Sequence, residues 1–457
     1  MSIQVSPSTI PNPEDVGLTA ASDRKDAYLS GLLNQCQRLE VQVIDPDIAA
    51  LLKELRDRAS LWVNKLTIPT KRDEEWRFTD LSPLLQVNFQ TPDKFDLPQS
   101  AAAEFALPEV PVRLVFVNGV YAPNLSAVAD LPEGLIVGNL AQLPTTHRTK
   151  VGKYLAQQQG AATEVFTALN TAGLTDVAVV WVPRNQQIET PIHLVFVSTT
   201  ASTPTVSQPR CLVVAQAGSQ LTLIEDYKAA GAGVYFTNAV TEIVLEENAQ
   251  VNHTRVLQEG GEAFHIGKSA IAQSRNSRYT CNAITMGAKL SRHNLEVFQT
   301  GEGTETTLNG LTLIGGEQLA DTHSAIALNH PNGITNQLHK CIVDGRAHAV
   351  FNGKVFVPQA AQLTNAGQLN RNLLLSPKAR VDTKPQLEIT ADNVKCSHGA
   401  TVSQLDAEEV FYLQSRGLNE TDARNLLIDA FGAEILDRIP VASLRQRLAR
   451  CVACRTC

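Results

Sequence analysis

Two spacings of apolar residues divide the chain. From Asp23 to Leu66 they recur at helical intervals, with Tyr28, Leu29, Leu32 and Leu33 followed by Ile48, Leu51, Leu52, Leu55, Ala59 and Trp62. Asp45-Pro46 supplies a cap and a first-turn proline for the second of these helices. Beyond Pro111 the runs become short and β-branched: Arg113 to Val117, Val177 to Val182, His193 to Val197, Leu212 to Ala215 and Leu221 to Ile224. They continue through Ala239 to Leu245, Ile284 to Met286, Leu311 to Ile314, Val355 to Val357 and Leu387 to Ile389. Gly, Pro, Asn and Asp separate them, as turns require. Hardly a helical pattern occurs there, so one continuous β domain is expected. A sandwich rarely needs so many strands, whereas a solenoid stacks short strands in coils and absorbs the length without closing. The expected architecture is a parallel β-helix, with no strict repeat period legible.

Helical spacing returns after Leu405. Leu405 to Leu413 and Asn419 to Phe431 are split by Arg416-Gly417, with Gly417 placed just past a helix end. Asn419 can cap the next helix, with Asp422 standing where a capping box has Glu. A third amphipathic segment runs from Val441 towards Cys451. Residues 1–22, rich in Ser, Thr, Pro and Asn, read as a disordered leader. The expected organisation is therefore a leader over 1–22, an N-terminal helical region over 23–110, a β-helix over 111–403 and a C-terminal helical domain over 404–457 ending in cysteines.

Composition narrows the partners. The chain has 457 residues, a hydrophobic fraction of 43% and a formal charge of −7 with only 19% charged residues. That is enough length for a sizeable core and leaves no basic footprint for nucleic acid or an anionic membrane. The longest apolar run, Val177 to Val182, falls far short of the roughly 18 residues of a membrane span. The first residues lack the basic start and apolar stretch of a secretory signal, so a reducing, cytoplasmic compartment is expected. Cys36, Cys211, Cys281, Cys341, Cys396, Cys451, Cys454 and Cys457 are too thinly spread for a disulfide scaffold and read as thiols.

Standard catalytic signatures are missing. Gly261-Glu-Ala-Phe-His-Ile-Gly267-Lys268-Ser269 looks like a phosphate loop but has one residue too many between its glycines, so it reads as a turn and strand. Gly231-Ala-Gly233 and Gly301-Glu-Gly303 lack the third glycine of the dinucleotide fingerprint. No Gly-x-Ser-x-Gly elbow or His-Glu-x-x-His helix occurs. Metal-ligating residue types say more. In Lys395-Cys396-Ser397-His398-Gly399 the thiol and imidazole are two apart, hence on one face of a strand, where both can ligate a soft or borderline metal. That is half a site. His339, Cys341 and His348 are the nearest sequence candidates for the rest, and a merely packed or hydrogen-bonded pair is the alternative. Asp321-Thr322-His323 can orient an imidazole, with structural pairing the preferred use. Cys451, Cys454 and Cys457 would share one helical face near Arg450 and Arg455, which suits metal or redox chemistry. A frayed, opportunistic tail is the default there.

Two stretches are more specific. Arg72-Asp-Glu-Glu75-Trp76-Arg77-Phe78-Thr79-Asp80-Leu81-Ser-Pro-Leu84 resembles the N-terminal signature of the SufB/SufD family of iron–sulfur cluster assembly proteins. A second block resembles the SufD branch of that family. It comprises Asp382-Thr383-Lys-Pro385-Gln-Leu387-Glu388-Ile389, then Ala391-Asp-Asn-Val-Lys-Cys396-Ser-His398-Gly399-Ala-Thr401-Val, then Phe411-Tyr412-Leu413-Gln-Ser415-Arg416-Gly417. The match runs back through Asp321-Thr-His323, Leu338-His339-Lys340, Val350-Phe351-Asn352-Gly353 and Asn372-Leu-Leu-Leu-Ser376, and spans most of residues 70–436. Asn393 and Ser403 depart from the pattern at positions that read as surface variation.

The resemblance implies a mainly β fold, a right-handed parallel β-helix flanked by N- and C-terminal helical regions, in agreement with the spacing above. It implies a scaffold subunit of an iron–sulfur assembly complex that pairs with a SufB-like subunit through the β-helix and carries a SufC-like ABC ATPase on its C-terminal helices. ATP hydrolysis then belongs to the partner, and this chain is not an enzyme and binds no nucleotide. A transient iron or iron–sulfur cluster at the subunit interface is implied, with His398 handling metal and Cys396 beside it the second candidate. Glu75, Trp76 and Arg77 read as structural, Trp76 anchoring the N-terminal helices onto the first coil. An open β-helix leaves strand edges unpaired, so a homodimer stays open beside the heteromer. Two other readings compete. A carbohydrate-active β-helix enzyme would need a secretion signal, paired carboxylates and exposed aromatics, and aromatic residues are only 5% of this chain. A stand-alone metal or redox protein would act through the terminal cysteines.

Overall fold

In the computed structural model the described residues are 23–38, 45–92, 97–157, 164–200 and 202–454; the expected leader over 1–22 and Cys457 lie outside them. Helix Pro46–Val63 begins as its sequence dictates, the Asp45 carboxylate accepting the backbone N–H groups of Asp47 and Ile48 at 3.2 and 3.1 Å. Helix Asp23–Gln37 contributes Leu29, Leu32, Leu33 and Cys36 to a buried cluster with Ala59, Trp62 and Val63 of the second helix. Both rest on a third helix, Val165–Ala172, and through it on Val206, Phe236, Phe264 and Leu290 of a sheet. That third helix and a shorter one at Thr145–Val151 interrupt the β domain expected to run unbroken from 111. All 8 residues of Val165–Ala172 are buried. At about two turns, with Thr167, Asn170 and Thr171 buried among its apolar side chains, it is too short to show a helical stripe in the sequence.

The β domain is a parallel solenoid of about 8 turns. One 10-stranded sheet runs from Val120–Tyr121 through Val112–Val117, Ile192–Thr199, Gln220–Ala230, Gln250–Glu259, Arg278–Gly287, Glu305–Ile314, Ile334–Val343 and Asn365–Leu374 to Lys395–Gln404. The other begins at Ile136–Asn139 and Ala178–Val182 and passes through Arg210–Ala215, Tyr235–Leu245, Phe264–Gln273, Leu290–Gln299, Leu319–Ala327 and His348–Val357 to Arg380–Ile389. Alternate residues face a lumen packed with Leu194, Val213, Leu223, Ile243, Ile271, Val297 and Val355. In-register positions stack up the coils, as in the column Tyr279, Thr306, Thr335, Ala366 and Cys396. The steps along such a column differ in length because the corners differ, which hides the period from a reader of sequence. Several corners turn on asparagine in the left-handed region, with φ of 59° at Asn248, 54° at Asn276 and 61° at Asn332.

Helices Glu420–Leu436 and Ala442–Cys454 run back over the outer face of the first sheet. Ile428, Ile435, Leu436, Leu444 and Leu448 bury Ile224, Val256, Ile284, Leu311 and Ile342. Charged groups pin the same seam: Lys340 donates to the Phe431 carbonyl at 2.9 Å and pairs with Glu434, while Arg447 reaches the buried Asp226 at 2.8 Å. Gly417 takes φ of 99° after helix Ala407–Ser415, as its placement requires. Asn419 caps the next helix by accepting the Asp422 N–H at 2.9 Å. The Asp422 carboxylate accepts the Asn419 side-chain amide at 2.7 Å, as befits a side chain shorter than Glu. Among the described residues no helix is long and apolar enough to cross a membrane. The helices thus cover the outer faces of the coils, whereas Arg380–Ile389 and Lys395–Gln404 end their sheets with no described strand beyond them.

Candidate functional site

The last strand of the first sheet holds both metal candidates. Lys395–Gln404 pairs in parallel with Asn365–Leu374, with Cys396 opposite Ala366 and His398 opposite Gln368. Its register is set by the Lys395 N–H, which bonds the Thr364 carbonyl at 2.9 Å. Along a parallel strand alternate residues turn their backbone groups to opposite neighbours, so the amides of Cys396, His398, Ala400 and Val402 face the open edge. The side chains of Cys396 and His398 share the lumen-facing side. Cys396 is half-buried against the luminal apolar cluster, and this desolvation raises its thiol pKa despite a backbone hydrogen bond at Ala366. The thiol is therefore held in its protonated form at neutral pH. His398 is exposed at the mouth of the lumen. An imidazole nitrogen and a sulfur at one rim can ligate iron but cannot complete its coordination.

The other sequence candidates are not gathered there. His339 is buried deeper in the lumen, stacked on Phe351 with ring centroids 5.0 Å apart and 3.1 Å from the Thr312 hydroxyl, and burial pushes its pKa down to about 4. Cys341 is buried and pushed up to about 12. His348 lies on the other sheet, paired with Asp382 at 2.7 Å. Among the described residues no three or more His, Cys, Asp or Glu side chains are grouped to hold a metal. Sequence reasoning gives no weight to Gln368, the in-register neighbour of His398; its only signal is the register itself.

Of the terminal cysteines, Cys451 and Cys454 differ in exposure and Cys457 lies outside the described residues. The last helix continues through Cys454 instead of fraying, Cys451 turns onto the sheet to accept from the Gln258 amide at 3.5 Å, and Cys454 is exposed. Lys268 of the near-miss phosphate loop lies inside a strand and pairs with Glu164 and Glu296 at 3.0 and 2.9 Å.

The Glu74-Glu75-Trp76 segment forms a clasp rather than a reactive site. Trp76 is buried under the Arg292 guanidinium, 3.8 Å from the ring centroid, and tilts against Phe166 at 5.6 Å. Trp76 thus anchors onto a middle coil and the helix Val165–Ala172, not the first coil as expected. Glu75 reaches His323 and Lys354, both at 3.3 Å, Thr79 bonds Asp321, and Glu74 bonds Lys384 on the terminal strand of the second sheet. Hydrogen bonding from His323 holds the Glu75 carboxyl at about 2. Burial opposes ionisation of Asp321, but Arg292 and His323 outweigh it and hold that carboxyl at about 2. His323 lies 3.0 Å from Asp321, the structural pairing its spacing suggests.

The C-terminal helices divide into core and open surface. Ile428 is buried and Phe431 packs under Lys340, whereas Phe411 is 71% exposed, with Tyr412 and Leu426 also exposed.

Comparison with known proteins gives the family. Residues 196–431 match the family described as SUF system FeS cluster assembly, SufBD core domain, and residues 32–194 match the SufBD protein N-terminal region. The chain is 54% identical to the iron–sulfur cluster assembly SufBD family protein slr0076 of Synechocystis, over 89% of this chain and 92% of that one. It is 33% identical to the iron–sulfur cluster assembly protein SufD of Escherichia coli, covering 83% and 88% of the two chains. Identity is also 33% to protein ABCI7, chloroplastic, of Arabidopsis thaliana, covering 94% and 92%. With both regions matched and the solenoid between its helices, the chain belongs to the SufBD family of iron–sulfur cluster assembly proteins.

Proposed function

We propose that this chain is a non-catalytic, cytoplasmic scaffold subunit that pairs end to end with a SufB-like subunit and carries a SufC-like ABC ATPase on its C-terminal helices. One observation carries the reading: the last strands, Arg380–Ile389 and Lys395–Gln404, have no described strand beyond them while Cys396 and His398 stand on the same rim. Exposed sheet edges template pairing, and a second solenoid could continue both sheets at once. Iron or a nascent cluster is cargo in this reading, held jointly by His398, with Cys396 beside it, and by donors from the partner chain. A site with an imidazole donor exchanges more readily than a full thiolate set, which suits a cluster that must be passed on. Phe411, Tyr412 and Leu426 offer the ATPase an exposed apolar surface. Movement of that partner during ATP turnover would bias the paired edge and open or close the site. The similarity to proteins named SufD supports this branch of the family.

The test is anaerobic purification of the tagged chain from its own cell extract at low salt. Recovery of an ABC-type ATPase and a larger SufB-like chain is expected. Recovery of a homodimer, or of the chain alone, would contradict the pairing as proposed.

A further inference from the structure

The column of lumen-facing residues that ends at His398 is polar over its last rungs. Gln337, Gln368 and His398 stand in register on successive strands, roughly 4.8 Å apart by strand spacing. The two glutamines are buried and linked in one direction: Gln337 Nε2 donates to Ser324 Oγ across the lumen at 2.8 Å, and Gln368 Nε2 donates to Gln337 Oε1 at 2.8 Å. Gly353 makes the seat for this amide, since a Cβ there would meet Gln368 Nε2 at 2.2 Å. With its nitrogen committed to the preceding rung, Gln368 keeps Oε1 buried and without a hydrogen-bond partner. A buried acceptor left in that state is unfavourable, because it has lost water and gained no donor. The next residue in register is the exposed His398, whose ring can rotate.

We infer that Gln368 is a positioning residue for His398, its Oε1 accepting one ring N–H and so fixing the tautomer that presents the other nitrogen at the open edge. This rests on the reading of His398 as an iron-handling residue. The two residues are in-register neighbours on adjacent strands, about 4.8 Å apart, so the contact needs only a side-chain rotation of His398. The relay then runs one way, from His398 to Gln368, Gln337 and Ser324. Metal-binding histidines generally need such a partner on the second nitrogen, and losing it typically weakens metal binding about 10–100-fold.

The test is nitrogen-15 NMR of the full chain, labelled at histidine, deuterated and metal-free at mildly alkaline pH, with His398→Ala assigning the signal. In the wild type one His398 nitrogen is expected at the shift of a protonated nitrogen and the other at that of a bare one. Gln368→Met, which keeps length but removes the acceptor, should move the two shifts towards each other as tautomers mix. Gln368→Glu, which keeps an acceptor, should restore the single tautomer. A wild-type His398 that already shows mixed tautomers overturns the inference, even if a variant fails to fold. So does a folded Gln368→Met chain with unchanged shifts. Ferrous iron retained by the anaerobic assembly should fall about 10-fold or more in Gln368→Met and recover in Gln368→Glu. If the tautomer responds as expected while His398→Ala keeps its iron, the pairing stands and the iron-handling reading fails.

Discussion

Single residues tie distant parts of this chain together, and Trp76 does most of it. Arg292 covers its ring and Phe166 flanks it, so Trp76→Ala removes both a large apolar contact and a cation–π partner. A loss of about 3–5 kcal/mol is expected, read as a lower urea midpoint. The carboxyls around it set an acid limit. Glu75 and Asp321 fall from ordinary values of 4.5 and 3.8 to about 2 in the folded chain. Their contribution is therefore fully present above about pH 4.5 and is lost as pH falls towards about 2. Fluorescence during acid titration should report release of the clasp within that window, and an unchanged signal down to its lower end would refute it. Local residue chemistry was legible in sequence where a side chain serves its own neighbours, as with Asp45, Gly417 and Asn419. The link from Glu74 to Lys384 was not, because only tertiary packing brings together residues 310 positions apart.

Elements read well where their inner face is aliphatic and poorly where it is polar. Val177 to Val182 and Ala239 to Leu245 announce strands, whereas Gln250–Glu259 and Asn365–Leu374 do not. The reason lies in the lumen, which holds hydrogen-bonded polar groups: Glu225 accepts from Tyr227 at 2.6 Å and Thr241 at 2.9 Å, and lies 3.1 Å from His253. Such positions break the alternation by which a strand is recognised. The terminal strand yields a direct test of edge pairing. Ala400 turns its amide outward, so Ala400→Pro removes one donor from the edge without taking a bond from the Asn365–Leu374 ladder. The variant is expected to keep the chain's own denaturation midpoint and to lose the SufB-like subunit on co-purification. A variant that still recovers that subunit in full would place the interface elsewhere.

At the scale of the whole molecule, the solenoid was foreseeable from the number of short strands and the absence of a closing pattern. The split of the C-terminal helices was not, since Ile428 and Leu426 are equally apolar in sequence and only packing buries one and exposes the other. Phe411→Asp, at the most exposed of these positions, should weaken ATPase capture about 10-fold or more while leaving thermal stability unchanged. Cys396 and His398 were legible as a pair of candidate ligands on one strand face, and among the described residues no group of three or more His, Cys, Asp or Glu side chains forms around them. The most direct measurement is iron in the anaerobically purified assembly, with the chain wild type or carrying His398→Ala, at equal subunit composition. The account predicts that the variant assembly forms and loses its iron. An intact His398→Ala assembly with a full complement of iron would contradict it.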